Sequence, residues 1–132
     1  MEDVERIFTR SEALGVLPRL RPMLEDIRQE WGRIRELNPN IQKARDKSAL
    51  DGHSPDGVEY VESVSHMMLV MNQIREMGVL VKDLDKGLVD FPYLKDDRVV
   101  YLCWHLGEDS IDYWHEIESG FGGREPLDEG DL

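Results

Sequence analysis

The chain has 132 residues, 40% apolar and 33% charged, with a formal net charge of −12. That length suits one domain able to bury its own core, and no apolar run approaches the ~20 residues of a membrane span. The acid excess argues against nucleic acid and anionic membrane as partners, because both are held by Lys and Arg; the start, MEDVERIFTR, lacks a signal-peptide core and a lone Cys permits no internal disulfide, so a reducing cytoplasm is expected.

Near the start, Ile7-Phe8 is a short apolar pair, and Thr9 or Ser11 can cap a following helix with Glu12 in its first turn. Pro18 and Pro22 lie too far in to be first-turn prolines. They predict a short helix over residues 11–17 and a kinked continuation to Leu37. Leu17, Leu20, Leu24, Ile27, Trp31 and Ile34 recur at spacings of three and four and form one apolar stripe. Asn38-Pro39-Asn40 is expected to stop it. Residues 38–57, rich in Gly, Pro, Asn and Asp, read as a mobile loop that carries a solvated His53.

A second helix is expected up to Met77, capped by Gly78. Its stripe is Val58, Val61, Val64, Met68 and Met71, ending at Arg75; Met67, Leu69, Ile74 and Met77 widen it. Two helices of such length, joined by one loop, predict an antiparallel hairpin over residues 11–77. The second stripe is wider than one neighbour needs, so it has either the sheet or another subunit to cover, the sheet being favoured. His66 reads as a packed or surface residue.

Residues 78–127 are the most distinctive part, with two of the three Trp, three of the four Tyr and the only Cys. Strands are expected at 79–83, 88–91 and 99–106, with a turn at Leu84-Asp85-Lys86-Gly87 and Pro92 ending the pairing of the second. Residues 93–97 are the next loop. The period of two places Val100, Leu102, Trp104 and Leu106 on a core face, and Val99, Tyr101, Cys103 and His105 on a mixed one. Asp90 sits mid-strand, where β propensity disfavours it, and so calls for a specific partner or an edge. The fold class is therefore α+β, a single domain over 1–132. A helix hairpin packs on an antiparallel meander of three strands, or four if Ile7-Phe8 adds an edge. Residues 108–132 hold nine acids against one Arg, and 128–132 read as a solvated acidic tail. Gly120, Gly122 and Gly123 around Phe121 read as a structural turn rather than an anion loop.

The segments IFTRSEALGVLPRLRP, GVLVKDLDKGLVDFP, VYLCWHLGE and YWHEIESGFGGREPL resemble the domain-of-unknown-function 2203 family of small prokaryotic proteins. The similarity covers residues 6–37 and 74–127. It implies a bacterial or archaeal, soluble, single-domain protein, and no activity comes with it. The matching residues include Asp90, Phe91, Pro92, Tyr101, Cys103, Trp104, Glu108, Trp114, His115 and Arg124.

Three readings of the chemistry compete. Asp90, Cys103, His105, Glu108 and His115 are the right donors for zinc or iron. No pair has ligand-motif spacing, so no metal is expected, with His105, Glu108 and His115 as the residual set. Cys103, within a strand, reads as a small buried hydrophobe rather than a nucleophile. A small-ligand pocket between Trp104, Trp114 and Arg124 is the second reading. The preferred reading is a non-catalytic binding or assembly module acting through its helix hairpin on a protein partner or a second copy, without cofactor. In it Asp90, Glu108, His115 and Arg124 form one buried polar network, an Asp90–Arg124 pair clamping the C-terminal segment to the sheet. The alternative is a small-molecule or metal-binding protein, or a hydrolase, with a polar site at Asp90, His105, Glu108, His115 and Arg124.

Overall fold

The computed structural model describes residues 6–48 and 55–132, with side chains over 6–38 and 57–132. It is α+β: α1 (Arg10–Ser48) and α2 (Pro55–Glu76) pack on a sheet of β1 (Leu80–Asp83), β2 (Leu88–Lys95), β3 (Arg98–His105), β4 (Tyr113–His115) and β5 (Glu125–Pro126). The strands lie in sequence order, and each pairs antiparallel with the next.

The start of α1 is set by Thr9. Its Oγ1 accepts from the Glu12 amide at 3.0 Å, while Glu12 Oε1 accepts from the Thr9 amide at 2.8 Å. This reciprocal box satisfies two otherwise free donors. It also holds the Glu12 carboxyl below its usual range, chiefly through the Thr9 amide. The helix then runs unbroken for 39 residues, past Pro18, Pro22 and the expected stop at 38–40. Each proline costs one helical bond, but Pro18 and Pro22 face solvent, so neither ring intrudes on the core. Ala13, Leu17, Leu20, Leu24 and Ile27 are buried on the opposite side, and that shared burial outweighs the lost bonds. The loop expected over 38–57 is accordingly shorter. Helix occupies both of its ends, and residues 49–54, with His53, lie outside the described residues.

The helices are antiparallel. His66 on α2 reaches Asp26 on α1 at 2.7 Å, while Arg6, ahead of α1, bonds the Met77 carbonyl beyond the end of α2. The α2 side against the core carries Ser63, Met67, Val70 and Ile74. This corrects the expected stripe: Val58, Val61 and Met68 lie on the outer side and are exposed. Gly78 ends the helix run at φ 89°, and a Cβ there would stand 2.9 Å from Arg6 Cβ, so only glycine lets the chain turn into β1 so close to the N-terminal segment.

In the sheet, β2 continues through Pro92 to Lys95, where pairing was expected to end. The Pro92 carbonyl accepts the Phe8 amide at 2.8 Å, so the Pro92 nitrogen points the same way, beyond the reach of β1. No ladder donor is missed there, which is the condition under which strands accept proline. The loop expected at 93–97 shrinks to Asp96 and Asp97, both left-handed at φ 51° and 63°, as a two-residue hairpin turn requires. Ile7-Phe8 contributes a single parallel bridge to Tyr93 rather than a strand. Two further strands, β4 and β5, extend the meander from three to five. The helix-facing side carries Val89, Phe91, Val100, Leu102, Trp104 and Trp114 in one core with Leu17, Leu20, Leu24 and Ile27. The mixed face is also closed, since Tyr101 and Cys103 are buried. The acidic end is ordered as well. A 3₁₀ turn at Glu129–Asp131, capped by Asp128, brings Asp131 to the Tyr93 hydroxyl at 2.8 Å and Lys95 Nζ at 2.7 Å, so the solvated-tail expectation does not hold for Asp131.

Candidate functional site: two polar clusters on the far face of the sheet

Asp90 on β2 lies directly opposite Cys103 on β3, and His115 on β4 pairs with Tyr101 two residues away. Alternation therefore sends Asp90, Cys103, Tyr101 and His115 to the same face, away from the helices. Asp90 and His115 stand two strands apart, and their side chains meet across β3 beside Cys103. The His115 Nε2 lies 2.9 Å from Asp90 Oδ1, with both side chains only 3% exposed. Nδ1 lies 2.6 Å from the Glu116 carbonyl.

Nδ1 donates to the Glu116 carbonyl, and a carboxylate at Asp90 accepts from Nε2, an arrangement that favours the imidazolium. Burial works against that charge. It is overcome by the hydrogen bond to Asp90, the neighbouring Cys103 and the Glu116 carbonyl, and the pKa is pushed up to about 10. The mid-strand carboxylate thus has its partner, and it is His115 rather than Arg124.

Arg124 belongs to a second cluster. Its Nη2 donates to both Glu108 oxygens at 2.7 and 2.8 Å and to the Cys103 carbonyl at 3.3 Å. Glu108 Oε1 also accepts the His105 amide at 3.0 Å and stands 3.6 Å from His105 Nε2. The Arg124 guanidinium lies over Tyr113 and Phe121, 4.1 and 4.9 Å from their ring centres. The expected single network of Asp90, Glu108, His115 and Arg124 is therefore two, joined through the backbone of Cys103. The Asp90–Arg124 clamp is corrected to Glu108–Arg124: Glu108 leaves β3 by a turn that brings its carboxylate back under His105, nearer to Arg124 than the mid-strand Asp90 is placed.

The family model described as Uncharacterized conserved protein (DUF2203) matches residues 6–127. The chain belongs to this family. No solved structure matches it. The DUF2203 match takes in both clusters.

Among the described residues of this DUF2203 protein, one group of His, Cys, Asp or Glu ligand atoms gathers within 4.8 Å: Asp90, Cys103 and His115. His105 and Glu108 sit together without His115. Trp104 and Trp114 face the helix-side core; Lys95 and Arg98, not Arg124, approach the Trp114 ring. The expected Trp104, Trp114 and Arg124 pocket therefore does not assemble. Tyr113, whose ring lies under the Arg124 guanidinium, is the contributor that the sequence does not single out, since nothing local marks its pairing with a residue 11 positions on.

Proposed function

We propose that this chain is a non-catalytic assembly module that docks through the outer face of α2, and that its partner is a second copy. The observation that carries this reading is exposure: Val61 and Met68 are each 61% exposed, with Val58 and Leu69 beside them. The opposite side of the same helix is already packed. Exposed apolar side chains grouped along one helix face point to a contact surface. It runs on into a groove of about 440 Å³ between Met68, Met71 and Arg75 and the first residues of β1.

The start of α2 carries Glu59 and Glu62, and its end carries Arg75 beside Glu76, which the Asn72 amide engages. Two α2 helices crossing antiparallel about Met68 bring Glu62 of each copy toward Arg75 of the other, the reciprocity of a two-fold interface. Adaptable Met side chains suit such a contact. No helix among the described residues is long and apolar enough to cross a membrane. A cytoplasmic setting in a prokaryotic cell fits this reading, because Cys103 is a free thiol.

Sedimentation equilibrium tests it. The expected mass is about twice 15.3 kDa, reduced to one chain by Met68→Glu. Arg75→Glu should weaken association, and Glu62→Arg added to it should restore it. A mass of one chain at high micromolar concentration sinks the self-association reading.

A further inference from the structure

The cluster on the far face has more donors than an ion pair needs. Asp90, Cys103 and His115 come from three successive strands, and all three are buried. Their ligand atoms converge within 4.8 Å. The orientation of His115 is set from outside the cluster: Nδ1 is bonded to the Glu116 carbonyl, which leaves Nε2 as the nitrogen facing Asp90 and Cys103. Metal-ligating histidines are commonly held in this way, one ring N–H on a backbone carbonyl and the other nitrogen on the ion. Glu116 itself is anchored, since its carboxylate takes Nε and Nη2 of Arg98.

We propose that Asp90, Cys103 and His115 form a binding site for a zinc-class divalent cation on the sheet face opposite the helices. The thiolate selects against magnesium and calcium, which take oxygen ligands. One carboxylate, one thiolate and one imidazole fit zinc. Charge also balances: two anionic ligands and a neutral His around a divalent ion sum to zero, which a buried site requires. The ion enters by replacing the Nε2–H of His115 and the thiol hydrogen of Cys103, and both protons pass to solvent. Without the ion the Asp90–His115 pair and a neutral thiol also sum to zero, so the site is electrically closed in either form. This inference is independent of the docking face on α2.

The test uses the whole chain, purified without chelator or histidine tag. Elemental analysis should find about one zinc per chain. After chelation and reloading with Co²⁺ alone, the protein should show a thiolate-to-cobalt charge-transfer band in the near ultraviolet. Cys103→Ser should lose the charge-transfer band, and zinc should raise the Tm of the wild type but not of that variant. The wild-type spectrum needs no variant to fold, so it decides alone: a chain folded by circular dichroism that takes up no metal overturns the proposal. So does cobalt binding without the charge-transfer band, which would mark surface carboxylates.

Discussion

Asp90 and His115 meet at 2.9 Å as a buried ion pair bridging β2 and β4 across β3. A buried pair adds little over a well-packed apolar replacement, yet breaking it leaves one charge unpaired in low dielectric. In chelator-treated protein, Asp90→Asn and His115→Gln should each cost ~3 kcal/mol or more in urea unfolding. The double variant should cost less than the sum. Additive losses would show that the two residues act separately.

The second pair, Glu108–Arg124, is partly exposed, at 17% and 15%. Arg124→Ala should cost about 1.5–3 kcal/mol, the range for hydrogen bonds to charged groups. Glu108→Gln should cost less than Glu108→Ala, because an amide oxygen can still accept the His105 amide and the guanidinium. An unchanged melting temperature in Arg124→Ala would show that β5 is held by its ladder alone.

What the sequence disclosed follows from how local each cause is. The Leu17 to Ile34 stripe was readable because one helix face repeats along the chain. The mid-strand position of Asp90 was readable as an anomaly, but not its partner. Choosing between His115 and Arg124 needed the register of β4, a three-residue strand too short to show alternation. Pro18 and Pro22 misled for a related reason: their local cost is real, while the burial that overrides it is spread over distant residues. Pro92 misled because its effect depends on which side of the strand still has a neighbour. The outer stripe of α2 was seen but set on the wrong face, since its period is the same on either side.

The reciprocal box at the start of α1 predicts that Thr9→Ala loses about 1 kcal/mol, and that Thr9→Ser loses much less. Glu12→Ala should be milder than Thr9→Ala, since it frees only the Thr9 amide. Equal stability of Thr9→Ala and wild type in thermal melts would show that α1 is held by packing alone.

Gly87 and Gly107 separate two costs of a side chain. Both have positive φ, 61° and 103°, but a Cβ at Gly87 would come within 2.5 Å of Leu106 Cδ1, whereas one at Gly107 meets nothing within 4 Å. Gly107→Ala should show backbone strain only, about 1 kcal/mol. Gly87→Ala should lose more, because Leu106 must also move. The reverse order in urea unfolding would show that the β1–β2 turn yields more readily than the one after β3.

Asp131 gives the chain a defined response to acid. Burial alone would raise its pKa, but Lys95 Nζ, the Tyr93 hydroxyl and the Asp128 amide together lower it from 3.8 to about 2. A carboxyl whose pKa falls on folding contributes stability that is complete above its unfolded value and disappears as pH drops through the folded one. The contribution is on the order of 2 kcal/mol above pH ~4 and fades toward pH ~2. Tyr93 responds at the opposite end: burial, then the Asp131 carboxylate, push its pKa up to about 12. Its share is complete below the ordinary tyrosine value near 10 and is lost as pH rises through 12. Urea unfolding of wild type and Asp131→Asn across pH 2–6 isolates the acid limb. The two curves should be separated by a constant amount above pH ~4 and converge as pH approaches ~2. A separation that stays constant down to pH ~2 would mean that the Asp131 pKa does not change on folding, and the strap from Lys95 to the C-terminal turn would then not lower it.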